Sequence, residues 1–253
     1  MAAASTAPAR RIANRERLIF ALDVPNLKAA QALVTTLADS VAFYKIGLEL
    51  ATSRHYFELL DWLIARDKKV FTDLKLYDIP ATVTAAVRQL SASGASFLTV
   101  HGDRAIMEAA AAAKGAQLEI LVVTVLTSIA PEHLADMGID LSIEDLVLSR
   151  ARQAVAAGCD GVIASGLEAE PLRKALGSHP KIVTPGIRLA DAGRTGARAM
   201  HGTVADDQRR VVTPTLAFRS GADHIVVGRP IRDAADPYSA AAAIQLEIAA
   251  VFG

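Results

Sequence analysis

Two kinds of segment alternate along the chain from residue 18 onward. Short runs of β-branched and other apolar residues, bounded by polar residues, are typical of strands buried in a parallel sheet. Longer segments rich in Ala and Leu, with charges at helical spacing, are typical of helices that cover such a sheet. The pattern predicts eight strands, over residues 18–23, 41–47, 69–74, 96–100, 118–126, 161–165, 181–185 and 224–228. It predicts helices over residues 27–38, 81–91, 104–113, 142–157, 168–176 and 239–251.

Strands and helices that alternate in this way over 253 residues predict an α/β fold of one domain, the (β/α)8 TIM barrel. A doubly wound open sheet is the alternative, but no GxGxxG motif follows the first strand. No linker rich in Pro, Gly or Ser divides the chain, so residues 18–253 are predicted to form the barrel. Residues 1–17 are predicted to form a disordered or flexible tail, although their Ala, Ser, Thr and Arg content also resembles a transit peptide.

The amino-acid composition argues against several classes of binding partner. The chain has 27 basic and 27 acidic residues and thus no net charge, which argues against a general nucleic-acid binder. No apolar run approaches the ~18 residues that a membrane span needs. The single cysteine, Cys159, excludes an intrachain disulfide and a cysteine-based zinc site, and it fits a cytoplasmic protein. The six histidines show no metal-ligand spacing, so the sequence calls for no metal.

Polar residues gather at the predicted carboxyl ends of the strands, the face of a barrel where active sites lie. Asp73 and Lys75 are two residues apart on the third strand, so both side chains are predicted to point into the barrel mouth. Lys45 on the neighbouring strand and Asp78 in the next loop can reach the same place. Two lysines and two carboxylates would form an alternating network that keeps Lys75 charged and ready to donate a proton. An interior ion-pair network without chemistry is the alternative.

A phosphate site is predicted beyond the eighth strand, where barrels commonly hold one. Gly228 and Arg229 follow that strand; a glycine lets backbone N–H groups approach a phosphate, and an arginine can bind it through two hydrogen bonds. Arg188, just past the seventh strand, can join them. Two long connections, over residues 126–161 and 185–213, include loops of the length that often binds ligands. A glycine turn beside a solvated arginine is the alternative.

Residues 73–82 read Asp73-x-Lys75-x-x-Asp78-Ile79-Pro-x-Thr82. This segment resembles the signature of the orotidine 5′-phosphate decarboxylase family, although Ala81 stands where that family often has Asn. Further matching segments, in the family's order, are Phe20-Ala-Leu-Asp23-Val, Tyr44-Lys45-Ile-Gly47, Val123-Thr-Val-Leu-Thr127-Ser128, Thr184-Pro185-Gly-Ile-Arg188, Asp207-Gln208-Arg-Arg and Val227-Gly228-Arg229-Pro-Ile. Related sugar-phosphate barrels share the first segment, so the Thr127–Ser128 pair and Gln208 are what point to the decarboxylase.

The resemblance implies that orotidine 5′-phosphate is decarboxylated to uridine 5′-phosphate, the last step of de novo UMP synthesis, without a cofactor. It implies that Lys75 protonates C6 of the pyrimidine, that Asp73 lies against the substrate carboxylate, and that Lys45 and Asp78 complete the charged network. The other implied substrate contacts are Asp23 and Lys45 at the ribose, Thr127 and Ser128 at the pyrimidine edge, Gln208 between base and phosphate, and Arg188, Gly228 and Arg229 at the phosphate. Pro185 is a further expected substrate contact. The resemblance also implies a homodimer in which Asp78, Ile79 and Thr82 enter the partner's site.

Three other functions fit parts of the sequence. A metal-dependent lyase or synthase of the same barrel group would act on a sugar phosphate such as a 3-keto-hexulose 6-phosphate. A non-catalytic sensor of a phosphate ligand would gain nothing from a buried like-charge clash between Asp73 and that ligand. An isomerase would need an acid–base pair on either side of its substrate, and Cys159 falls at a helix end, far from the strand carboxyl ends.

Overall fold

The computed structural model describes residues 12–189 and 210–253. Its eight strands are all parallel to their neighbours and close into a barrel in the order β1 to β8, with β8 hydrogen-bonded to β1. The strands are β1 Leu18–Ala21, β2 Phe43–Ile46, β3 Lys69–Leu76, β4 Phe97–Val100, β5 Glu119–Val123, β6 Gly161–Ile163, β7 Lys181–Thr184 and β8 His224–Val227. The predicted (β/α)8 barrel is therefore confirmed, and the open sheet is wrong.

Helices cover the outside of the barrel. They are α1 Leu27–Leu37, α2 Leu48–Ala51, α3 Tyr56–Ile64, α4 Pro80–Ala92, α5 Arg104–Ala113, α6 Pro131–Asp136, α7 Ile143–Ala156, α8 Ala169–Leu176, α9 Pro214–Arg219, α10 Arg229–Arg232 and α11 Pro237–Phe252. Short polar side chains start several of them: Asn26 accepts a hydrogen bond from the Ala29 amide of α1, and Ser142 accepts one from the Asp145 amide of α7. These caps set where each helix begins after its strand.

Strand ends differ from the sequence prediction where the chain turns toward the barrel mouth. The fifth strand was predicted over residues 118–126, but β5 ends at Val123, and the residues after it line the pocket described below. The third strand was predicted to end at residue 74, whereas β3 continues to Leu76 through a register shift against β4. Helix α3, with its aromatic residues of modest helix propensity, was not singled out by the pattern.

The inside of the barrel changes from apolar at its base to polar at its mouth. An interior cluster is formed by Ile19, Ala21, Phe43, Phe71, Phe97, Leu121, Val183 and Val226. Because alternate residues of a strand face the same side, the next inward positions toward the carboxyl ends are Asp23, Lys45, Asp73 and Thr99. The periodicity that fills the barrel thus also brings four polar side chains to its mouth. Two larger apolar clusters lie between the strands and the helices.

Residues that the sequence pattern places in the tail contact the base of the barrel. A 3-10 turn spans Asn14–Glu16, and Glu16 pairs with Lys69 at 2.5 Å. The Arg17 guanidinium donates to the Asp223 carbonyl at 3.1 Å and lies 3.6 Å from the centre of the Phe252 ring. Residues 14–17 therefore contact the barrel, while residues 1–11 lie outside the described part of the chain, so the tail stays a prediction.

Within residues 12–189 and 210–253, no helix has the combined length and apolar character that a membrane span requires.

Candidate active site

A cavity of about 470 Å³ opens at the carboxyl ends of the strands, within the ~300–1,000 Å³ range of small-molecule sites. Ten of the predicted site residues line it: Asp23, Lys45, Asp73, Lys75, Thr127, Ser128, Pro185, Arg188, Gly228 and Arg229. They come from the ends of β1, β2, β3, β5, β7 and β8, so the closed barrel brings together residues that lie far apart in sequence. The face that the strand-end pattern indicated is the face that carries the pocket.

Four charged side chains form a line along one wall of the cavity. Lys45 Nζ lies 3.1 Å from Asp23 Oδ1 and 3.4 Å from Asp73 Oδ2, and Lys75 Nζ donates to Asp73 Oδ1 at 2.9 Å. The charges therefore alternate from Asp23 to Lys75. Within one chain, the second carboxylate of this network is Asp23, whereas the sequence predicts Asp78 in that role. Lys45 and Asp73 are largely buried, with side chains 12% and 13% exposed, so water screens this pair only weakly.

Lys45 and Asp73 are the two central groups of this line. For both, the nearby opposite charges together shift the pKa more than burial does. Burial alone would lower the pKa of Lys45, but the carboxylates of Asp73 and Asp23 raise it above its ordinary value. Burial alone would raise the pKa of Asp73, but the ammonium groups of Lys45 and Lys75 hold it below its ordinary value. Hydrogen bonds from Lys75 and Thr99 lower the Asp73 pKa further. Both central groups are therefore charged at neutral pH, as a preorganised electrostatic site requires.

Lys75 reaches the cavity through a local break in its strand. The register between β3 and β4 shifts between Thr72 and Leu76, and Lys75 has a φ of 49°, in the left-handed region that a non-glycine residue seldom adopts. The Thr99 hydroxyl stabilises this arrangement, since it accepts from the Lys75 amide at 3.0 Å and donates to Asp73 Oδ1 at 2.8 Å. Asp73 and Lys75 do face the mouth together, but by way of a bulge and not by regular alternation.

Thr99 and Arg232 belong to the site although the sequence reasoning missed them. Thr99 is fully buried, and its place two residues after the inward-facing Phe97 was the available signal. Arg232 lines the cavity and donates from Nη1 to the Asp23 carbonyl at 3.0 Å. It follows Arg229 by three residues on α10, a spacing that places the two side chains on one side of a helix.

Two glycines leave room for charged groups at the site. A Cβ on Gly47 would lie 3.1 Å from Lys45 Nζ, closer than a comfortable contact, so a side chain there would press on the buried ammonium. A Cβ on Gly228 would lie 3.4 Å from Ala21 Cβ and 4.0 Å from Asp23 Oδ2. Both of those neighbours line the cavity, so the missing side chain of Gly228 leaves cavity space open.

The predicted residues of the loop after β3 do not line the cavity of their own chain. Asp78, Ile79 and Thr82 are exposed, and Asp78 Oδ1 accepts a hydrogen bond from the Ile79 amide at 2.6 Å. Next to them, Tyr77 is 70% exposed and packs over Gly102, where a Cβ would lie 2.5 Å from the tyrosine ring. The loop therefore presents apolar and acidic groups outward. Gln208, the other predicted contact, lies outside the described residues.

No histidine in the described part of the chain lines the cavity. His101 packs edge-on against Tyr77, with ring centres 5.8 Å apart. Burial, together with the nearby charges of Arg150 and Lys75, lowers its pKa. Among the described residues, no three His, Cys, Asp or Glu side chains are grouped so that they could hold a metal ion.

Comparisons with known proteins agree over nearly the whole chain. The model of the "Orotidine 5'-phosphate decarboxylase / HUMPS family" matches residues 16–244. The orotidine 5'-phosphate decarboxylase of Methylococcus capsulatus is 54% identical over 237 residues, which is 94% of this chain and 93% of that protein. The protein of the same name from Xanthomonas oryzae pv. oryzae is 55% identical over 243 residues, 96% of each chain.

A solved structure matches the fold to the same extent. The crystal structure of orotidine 5'-phosphate decarboxylase from Lactobacillus acidophilus has a TM-score of 0.78 and 33% sequence identity, and the match covers 92% of this chain and 99% of that one. The match therefore covers most of the chain that forms the closed barrel.

Proposed function

Since the chain belongs to the orotidine 5′-phosphate decarboxylase / HUMPS family, we propose that it converts orotidine 5′-phosphate to uridine 5′-phosphate and CO2 for pyrimidine biosynthesis. The observation that carries the proposal is the line of alternating charges from Asp23 to Lys75 along the wall of the cavity. Such a line places a fixed ammonium next to a fixed carboxylate, an arrangement that suits a substrate whose own carboxylate is to be lost.

The reaction needs a proton at the carbon that loses CO2. The bond between C6 and the carboxylate carbon breaks, its electron pair stays on C6, and CO2 leaves as a neutral molecule. Nζ of Lys75 then gives a proton to C6 and becomes a neutral amine, which solvent reprotonates. No neighbouring atom takes up the electron pair, so the positive charge of Lys75 stabilises C6 as the pair develops there. Loss of one such preorganised group typically costs about 10²–10³ in turnover.

Asp73 and Lys45 prepare Lys75 for this role. Asp73 holds the ammonium of Lys75 at 2.9 Å and presents negative charge to the substrate carboxylate, which the neutral product CO2 no longer feels. Lys45, 3.4 Å from Asp73 and 3.1 Å from Asp23, holds both carboxylates in place, and its charge lowers the pKa of Asp73. Because these charges are fixed before substrate binds, the proposed reaction uses no cofactor.

The two ends of the substrate would bind at different strand ends. Thr127 and Ser128 lie after β5 and offer hydroxyl groups to the pyrimidine edge, and Asp23 and Lys45 offer polar groups to the ribose. The phosphate would bind at the ends of β7 and β8, where the cavity is lined by Pro185, Arg188, Gly228 and Arg229. Gln208 is proposed to bridge the base and the phosphate. The phosphate, remote from C6, supplies binding energy that orders the site around the reacting carbon.

We propose that the active form is a homodimer in which Asp78, Ile79 and Thr82 complete the site of the other copy. These residues are exposed on their own chain and follow directly on the strand that carries Asp73 and Lys75. The neighbouring Tyr77 and Ile79, 70% and 66% exposed, form an apolar patch of the kind that a second copy would cover.

Mixing two inactive variants tests this arrangement. In a heterodimer of Lys75→Met and Asp78→Asn chains, one of the two sites has both an intact Lys75 and an intact Asp78 from the neighbour. Random pairing of equal amounts then restores about a quarter of wild-type activity. If Asp78 acts only within its own chain, neither site is intact, and mixing restores nothing.

Absorbance of the pyrimidine ring tests the reaction itself. We expect purified protein in excess chelator to convert orotidine 5′-phosphate to uridine 5′-phosphate. Failure in chelator, with activity on a 3-keto-hexulose 6-phosphate once Mg²⁺ is restored, would instead assign the protein to the metal-dependent lyases.

We also propose a cytoplasmic location, because the described chain holds its one cysteine as a buried free thiol. Activity in the soluble fraction of lysed spheroplasts, and not in the periplasmic extract, is the expected result.

A further inference from the structure

A buried ion pair between Glu168 and Arg210 lies just behind the cavity wall. Glu168 follows β6 and precedes α8, and Arg210 is the first described residue after position 189. Their side chains are only 6% and 12% exposed, and Arg210 Nη1 contacts Glu168 Oε1 directly. Neither residue is among those that line the described cavity. The pair therefore does not meet a ligand in that cavity by itself.

Arg210 also holds the backbone of the cavity wall. Its Nη2 donates to the Leu126 carbonyl at 3.0 Å and lies 3.4 Å from the Val125 carbonyl. Val125 and Leu126 line the cavity and directly precede the Thr127–Ser128 pair. A guanidinium can bind a carboxylate and a carbonyl at once because its donors form a rigid planar fork. Arg210 thus links the buried carboxylate after β6 to the chain that leaves β5.

The residues after Arg210 are joined to the end of β7. Val212 forms a parallel bridge with Ile187, accepts a hydrogen bond from the Arg188 amide at 3.0 Å, and donates to the Gly186 carbonyl at 3.2 Å. It packs so closely on Gly166 that a Cβ there would lie 2.3 Å from Val212 Cγ2. The segment from Arg210 to Val212 therefore connects the ends of β5, β6 and β7.

A buried ion pair is a poor way to stabilise a fold, since apolar residues of similar volume often serve as well or better. Within the described residues, Glu168 Oε2 and Arg210 Nε are buried without hydrogen-bond partners, which adds to the cost of this pair. Burial also raises the pKa of Glu168, although the charge of Arg210 opposes the rise. A function in positioning explains a pair that stability alone does not favour.

We propose that Arg210, held by Glu168, is a positioning residue that fixes the Val125 and Leu126 carbonyls so that Thr127 and Ser128 meet the pyrimidine edge. The inference rests on the proposed function, because it takes the base to lie at the end of β5. The side chain of Arg210 acts on the loop after β5, which is the base end of the substrate site. The same segment contacts the phosphate end only through the backbone of Val212, which is hydrogen-bonded to Gly186 and Arg188.

Two ligands separate this role from a general loss of structure. Uridine 5′-phosphate carries both base and phosphate, whereas ribose 5-phosphate carries the phosphate without the base. We expect Arg210→Met to weaken binding of uridine 5′-phosphate about tenfold and to change binding of ribose 5-phosphate less than about threefold, by calorimetric titration. In the turnover assay, the KM for orotidine 5′-phosphate should rise together with the Kd of uridine 5′-phosphate. Arg210→Lys, which retains the charge but not the fork, should fall between wild type and Arg210→Met.

Arg173→Met is the matched control. Arg173 also pairs with a carboxylate, Asp223, at 2.5 Å and donates to the Gly221 and Pro180 carbonyls, but it lies at the opposite end of the barrel. This variant should bind both ligands within about threefold of wild type at temperatures where it is folded. Arg210→Lys gives the same comparison if Arg210→Met fails to fold.

Equal weakening of both ligands by the Arg210 variants, or unchanged binding of uridine 5′-phosphate, would overturn the inference. Failure of the proposed function has a different signature, because wild-type protein would then leave orotidine 5′-phosphate unchanged. The selective loss of uridine 5′-phosphate binding can be measured whether or not turnover occurs.

Discussion

Replacing Thr99 with Val removes one hydroxyl that serves two groups of the charged network. The hydroxyl donates to Asp73 Oδ1 at 2.8 Å and accepts from the Lys75 amide at 3.0 Å. Thr99 is fully buried, so no water replaces either hydrogen bond without rearrangement. Valine has nearly the same shape, and the variant therefore tests the hydrogen bonds more than the packing.

The expected cost follows from the kind of bond that is lost. A hydrogen bond to an ionised group contributes about 1.5–3 kcal/mol. If that contribution is expressed in the transition state, turnover falls roughly 10- to 100-fold, since 1.36 kcal/mol corresponds to a factor of ten. The Lys75 amide also loses its acceptor, so we expect the free energy of unfolding to fall by about 2–4 kcal/mol.

The pH dependence of turnover gives a second readout. The hydrogen bond from Thr99 lowers the pKa of Asp73, so its loss raises that pKa toward the ordinary value. Asp73 contributes to stability above its unfolded pKa, and this contribution disappears as the pH falls through the lower, folded pKa. In Thr99→Val the acid limb of the rate profile and the acid unfolding transition should therefore both move to higher pH.

Thr72→Val is the control for this measurement. Thr72 is also fully buried and donates to the Phe97 carbonyl at 2.9 Å, one residue before Asp73, but it does not contact the charged network. It should lose about 1 kcal/mol of stability and keep turnover within about twofold. Equal turnover in Thr99→Val and Thr72→Val, with superimposable pH profiles, would refute the role given to Thr99.

Three further perturbations probe other parts of the molecule. Gly47→Ala places a Cβ 3.1 Å from Lys45 Nζ; we expect turnover to fall roughly tenfold with stability within about 1 kcal/mol of wild type, by steady-state kinetics and urea unfolding. His224 is fully buried with its pKa lowered to about 3, so stability should fall as the pH drops below the unfolded pKa of about 6.5, and His224→Asn should remove about 2 kcal/mol of the difference between pH 7 and pH 5. Gly102→Ala would place a Cβ 2.5 Å from the Tyr77 ring at a φ of +110°; sedimentation should show weaker self-association, and unchanged association would contradict the place given to Tyr77 in the dimer.

The barrel and most of its mouth could be predicted because strand periodicity is a local property. Residues two apart face the same side, so Asp73 and Lys75 were assigned to one cavity from their spacing alone. The bulge at Lys75 could not be predicted, since a lysine at a φ of 49° depends on Thr99 from the neighbouring strand. Thr99 itself was missed because a buried threonine on a strand carries no chemical signal when read singly.

Long-range pairs account for the other omissions. Glu168 and Arg210 are 42 residues apart, and only the closed barrel brings them together behind the cavity. Arg232 reaches the Asp23 carbonyl from the helix after β8, where the sequence offered only its helical spacing from Arg229. Asp78 is the reverse case: the motif named it, but its place in a site depends on a second copy of the chain.

Lys75→Met is the sharpest test of the proposed mechanism, because Lys75 supplies both the stabilising charge and the proton. The variant should bind uridine 5′-phosphate within about tenfold of wild type and decarboxylate orotidine 5′-phosphate at least about 10³-fold more slowly in a single-turnover absorbance assay. Lys114→Met, which removes a lysine paired with Asp160 outside the cavity, should retain wild-type turnover. A Lys75→Met protein that keeps more than about a tenth of wild-type turnover would contradict the assignment of the proton and the charge to Lys75.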